Sequence, residues 1–263
     1  MNQPSGCLVP LEPSARVGFQ RAADRYERGR PEAPPSAIDA LVGTLGISSR
    51  SFVLELGAGT GKLSRRLAPR AGRYVALEPV PAMRDQFRRA LPTVPLVAGI
   101  AEMLPIAEAR VDAIVAAQAF HWFDIPRAMQ EMHRVLRPGG TVGLVWNVRD
   151  ESVDWIHQET VIMDRYDGRG PRYRRGAWRE AWAHTPGFEP LQKQSFSFVQ
   201  RLDRDTALDR FTSISFIASL EGERYAEAEA ALKGLLDTHP QTAGLTEIEL
   251  PYQCEVYTSR RIS

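Results

Sequence analysis

Cysteine is almost missing from this chain. Cys7 and Cys254 are the two it has in 263 residues, too few and too isolated for a disulfide framework or a zinc site. No H-E-x-x-H and no clustered His/Cys spacing occurs, so no metal is expected. No apolar run approaches the length of a membrane span. The first basic residue is Arg16, which leaves no n-region for a signal peptide. A cytoplasmic protein without a membrane partner is therefore expected. Excess charge of either sign is missing as well: 33 Lys and Arg against 32 Asp and Glu leave a net charge of +1. That balance argues against nucleic acid as the main partner. There is no internal repeat, and the length suits one large domain or one domain with a cap.

What is present is a glycine turn between a strand and a helix. Val53-Leu54-Glu55-Leu56 is an apolar strand that runs into Gly57-Ala58-Gly59-Thr60-Gly61-Lys62. Such a turn lets the backbone approach a ligand closely, because glycine has no Cβ and tolerates positive φ. The helix that follows points its unpaired N–H groups into the turn. A dinucleotide fingerprint needs a third glycine where Lys62 stands, and a P-loop needs Ser or Thr where Leu63 stands. The pattern left is E-x-G-x-G-x-G. Glu55 at its head would repel a pyrophosphate but suits a ligand with an ammonium group. S-adenosylmethionine has an amino acid end, a ribose and a sulfonium, and no phosphate. On the turn alone, a plain tight βα connection remains equally open.

The segments that follow favour the ligand. Arg73 to Leu77 reads as a second strand ending at Glu78, 21 residues beyond Gly57. An acid at about that spacing, ~20 residues on, accepts hydrogen bonds from ribose hydroxyls in doubly wound sheets. A third strand end and loop follow at Val97–Pro105, with Ala101 and Glu102. The apolar run Val111–Ala117 ends in Gln118-Ala119-Phe120-His121-Trp122-Phe123-Asp124. A helix carrying Met129, Met132, Val135 and Leu136 stops at Arg137-Pro138-Gly139-Gly140, and Thr141–Asn147 is a fifth strand.

This ordered set resembles the class I S-adenosylmethionine-dependent methyltransferases. LELGAGTG, ALEP, GIAEMLP, AQAFHWFD and HRVLRPGG stand in that family's order and spacing over roughly residues 50–147. AQAFHWFD, with FQRAADRYERGRP upstream, is most similar to the small-molecule branch of trans-aconitate methyltransferase-like proteins. The resemblance implies an α/β fold: a Rossmann-like, doubly wound, seven-stranded, mostly parallel sheet, its last strand antiparallel beside the fifth, plus a helical cap. The expected organisation is a tail and cofactor-covering helix over 1–35, the cofactor-binding core over 36–150, and completion of the sheet with cap insertions over 151–263.

Elements are also expected outside the motif region. They are helices from Gly18 to Glu27, from an N-capping Ser36 to Leu45, and from Asp150 to Tyr166. A helix from Ala177 to Ala183 precedes a sixth strand at Ser195–Val199. Two cap helices, from Asp203 or Asp205 to Leu220 and from Arg224 to Leu236, precede a last strand at Tyr252–Tyr257.

Ligands of doubly wound sheets sit at the carboxyl ends of the strands. There Gly57, Ala58, Gly59 and Gly61 would pass under the cofactor, Glu55 would receive its ammonium, and Glu78 with Pro79 would hold the ribose. Ala101 and Glu102 would flank the adenine, and Gln118 would reach the methionine end or the acceptor. The bland alternatives are turn, strand-end and loop acids. Tyr26 would cover the cofactor or simply pack in its helix. His121 is the candidate catalytic residue, either a base for a hydroxyl or amine or a pocket wall with Trp122 and Phe123. Asn147 and Arg149 leave strand five toward the same mouth, where Arg149 would pair with an acidic acceptor; Trp146 reads as core. The Arg169–Arg175 cluster is a solvated loop or an anion-steering patch. No nucleophile or triad appears, and in-line methyl transfer needs none. The reading is methyl transfer to a small molecule at O, N or C. A catalytically silent cofactor-binding module and an RNA or protein methyltransferase are the rivals. Oligomeric state is not readable.

Overall fold

The computed structural model describes residues 27–167 and 173–262. Tyr26, Cys7, Arg169, Arg172 and most of the expected first helix lie outside the described residues. The core alternates helix and strand: α1 (Pro35–Leu45), β1 (Phe52–Leu56), α2 (Lys62–Leu67), β2 (Arg73–Leu77), α3 (Pro81–Ala90), β3 (Leu96–Val97), β4 (Val111–Ala117), α4 (Ile125–Val135) and β5 (Leu136–Arg149). Then follow α5 (Asp154–Asp164), α6 (Ala177–His184), β6 (Gln192–Asp203), α7 (Arg204–Thr212), α8 (Ser215–Ala218), α9 (Gly222–Thr238) and β7 (Glu247–Arg260).

The seven strands form one sheet in the order β3-β2-β1-β4-β5-β7-β6. β1 to β5 pair in parallel, and β7 runs antiparallel to both β5 and β6. The expected sheet is therefore present, with its last strand reversed beside the fifth. Every residue of β1 is buried, as a parallel strand covered on both faces requires. Leu54 and Leu56 join Phe120, Met132 and Trp146 on one side. Val53 joins Ile38, Leu41 and Phe87 on the other. Successive strands step outward from β1 through β2 to β3, and from β4 to β5 in the opposite direction. The crevice between β1 and β4 is thus the switch point where such sheets bind ligands.

The boundaries differ from expectation in places with identifiable causes. α1 begins at Pro35 with Pro34 at its N-cap and no side-chain cap bond, so Ser36 is inside the helix. Proline pre-sets the first-turn φ and its missing N–H has no partner to lose there. Leu136 does not extend α4; it opens β5 opposite Val111. The helix expected to reach Leu220 is capped by Asp203 but ends at Thr212. Thr212 Oγ1 bonds the Leu208 carbonyl at 3.0 Å and Ser213 Oγ that of Arg210 at 3.0 Å. Such side-chain bonds compete with the helical ladder. β6 and β7 run well beyond the alternating stretches, because an antiparallel ladder continues on backbone bonds where side chains are polar. α5, α7, α8 and α9 pack together through Trp155, Phe211, Ile217 and Leu232, forming the cap.

Candidate active site

Three clefts meet at the carboxyl ends of β1, β2 and β4, and Gln118 lines all of them. Gln118 has φ of +57°, a left-handed conformation that costs a non-glycine residue roughly 1–2 kcal/mol. Its amide bonds the Val145 carbonyl at 2.8 Å and its side chain the Asn147 carbonyl at 3.3 Å. Strain held by surrounding bonds in this way clusters at functional sites.

The first cleft is built on the glycine turn. Gly57 has φ of +65°, and a Cβ there would lie 2.6 Å from that of Ala119. Gly59 has φ of +58°, and a Cβ there would meet nothing within 4 Å; its open side faces the cleft. Gly61 lines none of the clefts. Its missing side chain admits Leu91 and Phe87, whose atoms come within 2.8 and 3.0 Å of a Cβ position, so it seats α3 against the turn. Glu78 closes the cleft floor. Its two carboxylate oxygens accept the N–H groups of Gly59 and Val80, both at 2.8 Å. Burial pushes its carboxyl up to about 7, while the two amide donors pull the other way. Pro79, Ala101, Glu102 and Phe123 line the same cleft. Glu102 accepts the Asp124 N–H at 2.8 Å, and burial raises its carboxyl. Phe123 was expected on the acceptor side. The 3-10 turn Phe120–Trp122 swings it back toward Gly57, where it packs edge-on against Phe120 at 5.7 Å.

A smaller cleft lies under the N-terminal segment and is lined by Arg30, Pro31, Glu55, Ala58, Asn147 and Arg210. Glu55 is fully buried and its Oε2 accepts the hydroxyls of Ser64 and of Tyr74, the latter at 2.7 Å. Burial raises its carboxyl to about 7. Segment 27–33 is strapped down from several sides. Lys62 Nζ donates to the Glu27 carbonyl at 2.7 Å, Arg65 pairs with Glu27 and Glu32, and Asn147 donates to the Pro31 carbonyl at 3.1 Å.

The third cavity opens beside the others, between β5 and the cap. His121, Trp122, Trp146, Asn147 and Arg149 line it, with Arg210 and Phe216 from the cap. Arg149 pairs with Glu159 at 2.5 Å, and the Glu159 side chain is wholly buried. Burial lifts Glu159 to about 7 and lowers Arg149. Arg210, buried at 3% exposure, donates through Nε to Tyr252 at 2.8 Å, while its Nη1 is buried without a partner. No hydrogen bond or ion pair joins Arg210 to Glu159, whose Oε2 is likewise buried without a hydrogen-bond partner. At the rim Arg174 pairs with Glu151 at 3.1 Å. His121 Nδ1 accepts the Trp146 indole N–H at 3.2 Å. Sequence reasoning did not find Arg210 or Glu159. The available signal was a charged residue on an apolar helix stripe: Arg210 beside Ala207 and Phe211, Glu159 beside Trp155 and Ile156. Among the described residues no cluster of His, Cys, Asp and Glu could hold a metal, and no helix is long and apolar enough to cross a membrane.

Comparison with known proteins gives a consistent result. The methyltransferase domain model matches residues 54–144. An uncharacterized methyltransferase of Mycobacterium tuberculosis is 39% identical over 90% of this chain and 92% of its own length. An uncharacterized methyltransferase-like protein of Schizosaccharomyces pombe is 35% identical over 92% of this chain and 95% of its own. A solved structure from Anaeromyxobacter dehalogenans, provisionally assigned as a type II methyltransferase, superposes with a TM-score of 0.63. It is 25% identical and covers 88% of this chain and 97% of its own.

Proposed function

The chain belongs to the class I S-adenosylmethionine-dependent methyltransferases, and on that premise we propose that it methylates a small anionic acceptor in the cavity beside His121, Arg149 and Arg210. The residues present fit the cofactor. The Gly59 side of the turn is open. Glu78 uses one acceptor position on each oxygen for backbone N–H groups, and a carboxylate has about four such positions, so two remain for ribose hydroxyls. Ala101 and Glu102 stand where the base would lie. The smaller cleft, lined by Glu55 and Arg30, is where an amino acid end would lie.

When bound, the cofactor supplies a methyl carbon that the sulfonium already activates. The protein's part is to align the acceptor and exclude water. Alignment of this kind can supply ~7–11 kcal/mol of a barrier. Gln118, common to all three clefts, stands where the methionine end and the acceptor would approach.

The observation that carries the acceptor class is the partnerless Nη1 of buried Arg210 beside the Arg149–Glu159 pair. Buried charge is costly unless paired, and a planar guanidinium is suited to a carboxylate or similar anion. The cavity wall formed by Ile214, Ser215 and Phe216 of the cap suits a small acceptor better than a duplex or folded protein. S-adenosylhomocysteine formation across matched panels of small carboxylic acids, neutral alcohols and amines tests this. Turnover confined to the acids is expected; turnover of the neutral panels alone overturns it. Arg210 also lines the smaller cleft, which favours a second reading, that it holds the cofactor's own carboxylate. Cofactor affinity of Arg210→Met separates the two.

A further inference from the structure

We propose that an arginine-lined cavity at the amino ends of the strands binds a small polyphosphate anion, at a site separate from the three clefts described above. The cavity measures about 640 Å³ and shares no lining residue with those clefts. Its role does not depend on methyl transfer. Arg50, Arg73, Arg110 and Arg137 stand around it, and Asp112 is the one acid among the described residues that line it. Asp112 is already engaged. Its Oδ1 pairs with Arg137 at 2.7 Å, and its Oδ2 accepts the Phe52 N–H at 2.7 Å. Arg73 stacks over the Phe52 ring at 4.4 Å. Among the described residues, no hydrogen bond or ion pair engages the guanidiniums of Arg50, Arg73 and Arg110. Three uncompensated positive charges thus lie around one cavity, beside the apolar residues Phe52, Pro105 and Ile106. Low-dielectric walls focus the field of such like charges on what they enclose.

The backbone that carries these arginines is tied down. Gly72 donates to the Ser48 carbonyl at 3.2 Å and Arg73 to that of Ser51 at 3.0 Å. A Cβ on Gly72 would collide with the Ser49 carbonyl oxygen, so the loops bearing Arg50 and Arg73 pack backbone to backbone. Arg110 donates its N–H to the Val135 carbonyl at 2.8 Å. Its neighbour Ala109 has φ of +51°. Among the described residues, the two non-glycine positions at positive φ bracket β4: Gln118 at the clefts and Ala109 at this cavity. Strain of that kind clusters at ligand clamps. A guanidinium offers five donors in a planar fork, which suits phosphate oxygens. Three of them in one cavity suit several negative charges in a small volume, as in a triphosphate chain. The whole chain carries only +1, so everything beyond this cavity is net negative. An extended polyanion such as RNA would meet that opposing charge, whereas an anion confined to the cavity would not.

Equilibrium dialysis of the full-length protein against inorganic tripolyphosphate, at about 0.15 M ionic strength, tests the site. One-to-one binding that S-adenosylhomocysteine does not displace is expected. Absence of binding, or displacement by S-adenosylhomocysteine, overturns the proposal. Arg50→Gln, Arg73→Gln and Arg110→Gln should each weaken binding about tenfold or more, as loss of a hydrogen bond to a charged group does. All three side chains are exposed, so denaturation midpoints should stay close to that of the unaltered protein. Arg89→Gln removes the same charge from an exposed position of α3 and is expected to leave binding unchanged. Equal weakening by Arg89→Gln would mean unspecific attraction and would sink the site. ATP, with S-adenosylhomocysteine saturating, separates the sources of the phosphates. Affinity no better than that of tripolyphosphate assigns the site to the phosphate chain, and tighter binding assigns it to a nucleotide; both support it. A single-stranded RNA that binds more tightly than either, with a steep salt dependence, overturns the small ligand.

Discussion

The glycine-turn cleft and the cavity beside His121 share Gln118 but are built by different means. The first takes its shape from backbone: a positive-φ turn, two amide donors aimed at Glu78, and short loops that follow consecutive strands. The second takes its character from side chains brought together from β5, the cap and the loop after β4, with Arg149, paired to Glu159 behind it, and Arg210 on its wall. A backbone cradle tolerates little change in sequence but reads only the shape of its ligand. A side-chain wall is free to vary and sets which ligand enters.

The largest expected effect tests whether the cradle is purely steric. Gly57→Ala places a methyl 2.6 Å from Ala119 Cβ at φ of +65°. The conformation costs about 1–2 kcal/mol and overpacking a further 1–3 kcal/mol, read by chemical denaturation. Gly59→Ala, where nothing lies within 4 Å, should carry the conformational cost alone yet still obstruct cofactor binding in calorimetry. Equal destabilisation by the two would break the distinction.

Glu78→Ala comes next. Loss of a charged acceptor should weaken the cofactor by ~1.5–3 kcal/mol, with acceptor KM unchanged. Arg210→Met should do the reverse by a similar amount, raising acceptor KM while cofactor affinity holds. If both variants weaken the cofactor alike, the two regions are one site.

A pH series sharpens the comparison further, because binding and folding should trend in opposite directions. Burial raises Glu78 from 4.5 to about 7. Hydroxyl donors favour its ionised form, so cofactor affinity should fall below pH 7, approaching tenfold per unit, and Glu78→Gln should flatten the profile. Glu55 and Glu159 are also raised to about 7 by burial. Such groups hold more protons folded than unfolded, so their contribution to stability is full below about 4.5 and is lost as pH rises toward 7. Denaturation midpoints of the ligand-free protein should follow that sign. The smallest effect is expected from Arg65→Ala, which removes the partly exposed pairs with Glu27 and Glu32. Its cost should be about 0–1 kcal/mol, seen chiefly as a faster, salt-sensitive cofactor exchange.

Much of this protein follows from its sequence alone. The alternation of strand and helix from Phe52 to Arg149, the turn at Gly57–Gly61 and the acid ending β2 are local features. Side-chain period, turn chemistry and spacing along a parallel sheet determine them within a few residues. The helix break after Thr212 and the swing of Phe123 were not so determined, because hydroxyl-to-carbonyl bonds and a 3-10 turn overrode periodicity. Tertiary structure alone decided the left-handed backbone of Gln118, the pairing of Arg149 with Glu159, the unpartnered guanidinium nitrogen of Arg210 and the bond between Trp146 and His121. Each depends on which distant segments the sheet order makes neighbours. A buried charge or a ring nitrogen acquires its chemistry from those neighbours, which no local pattern specifies.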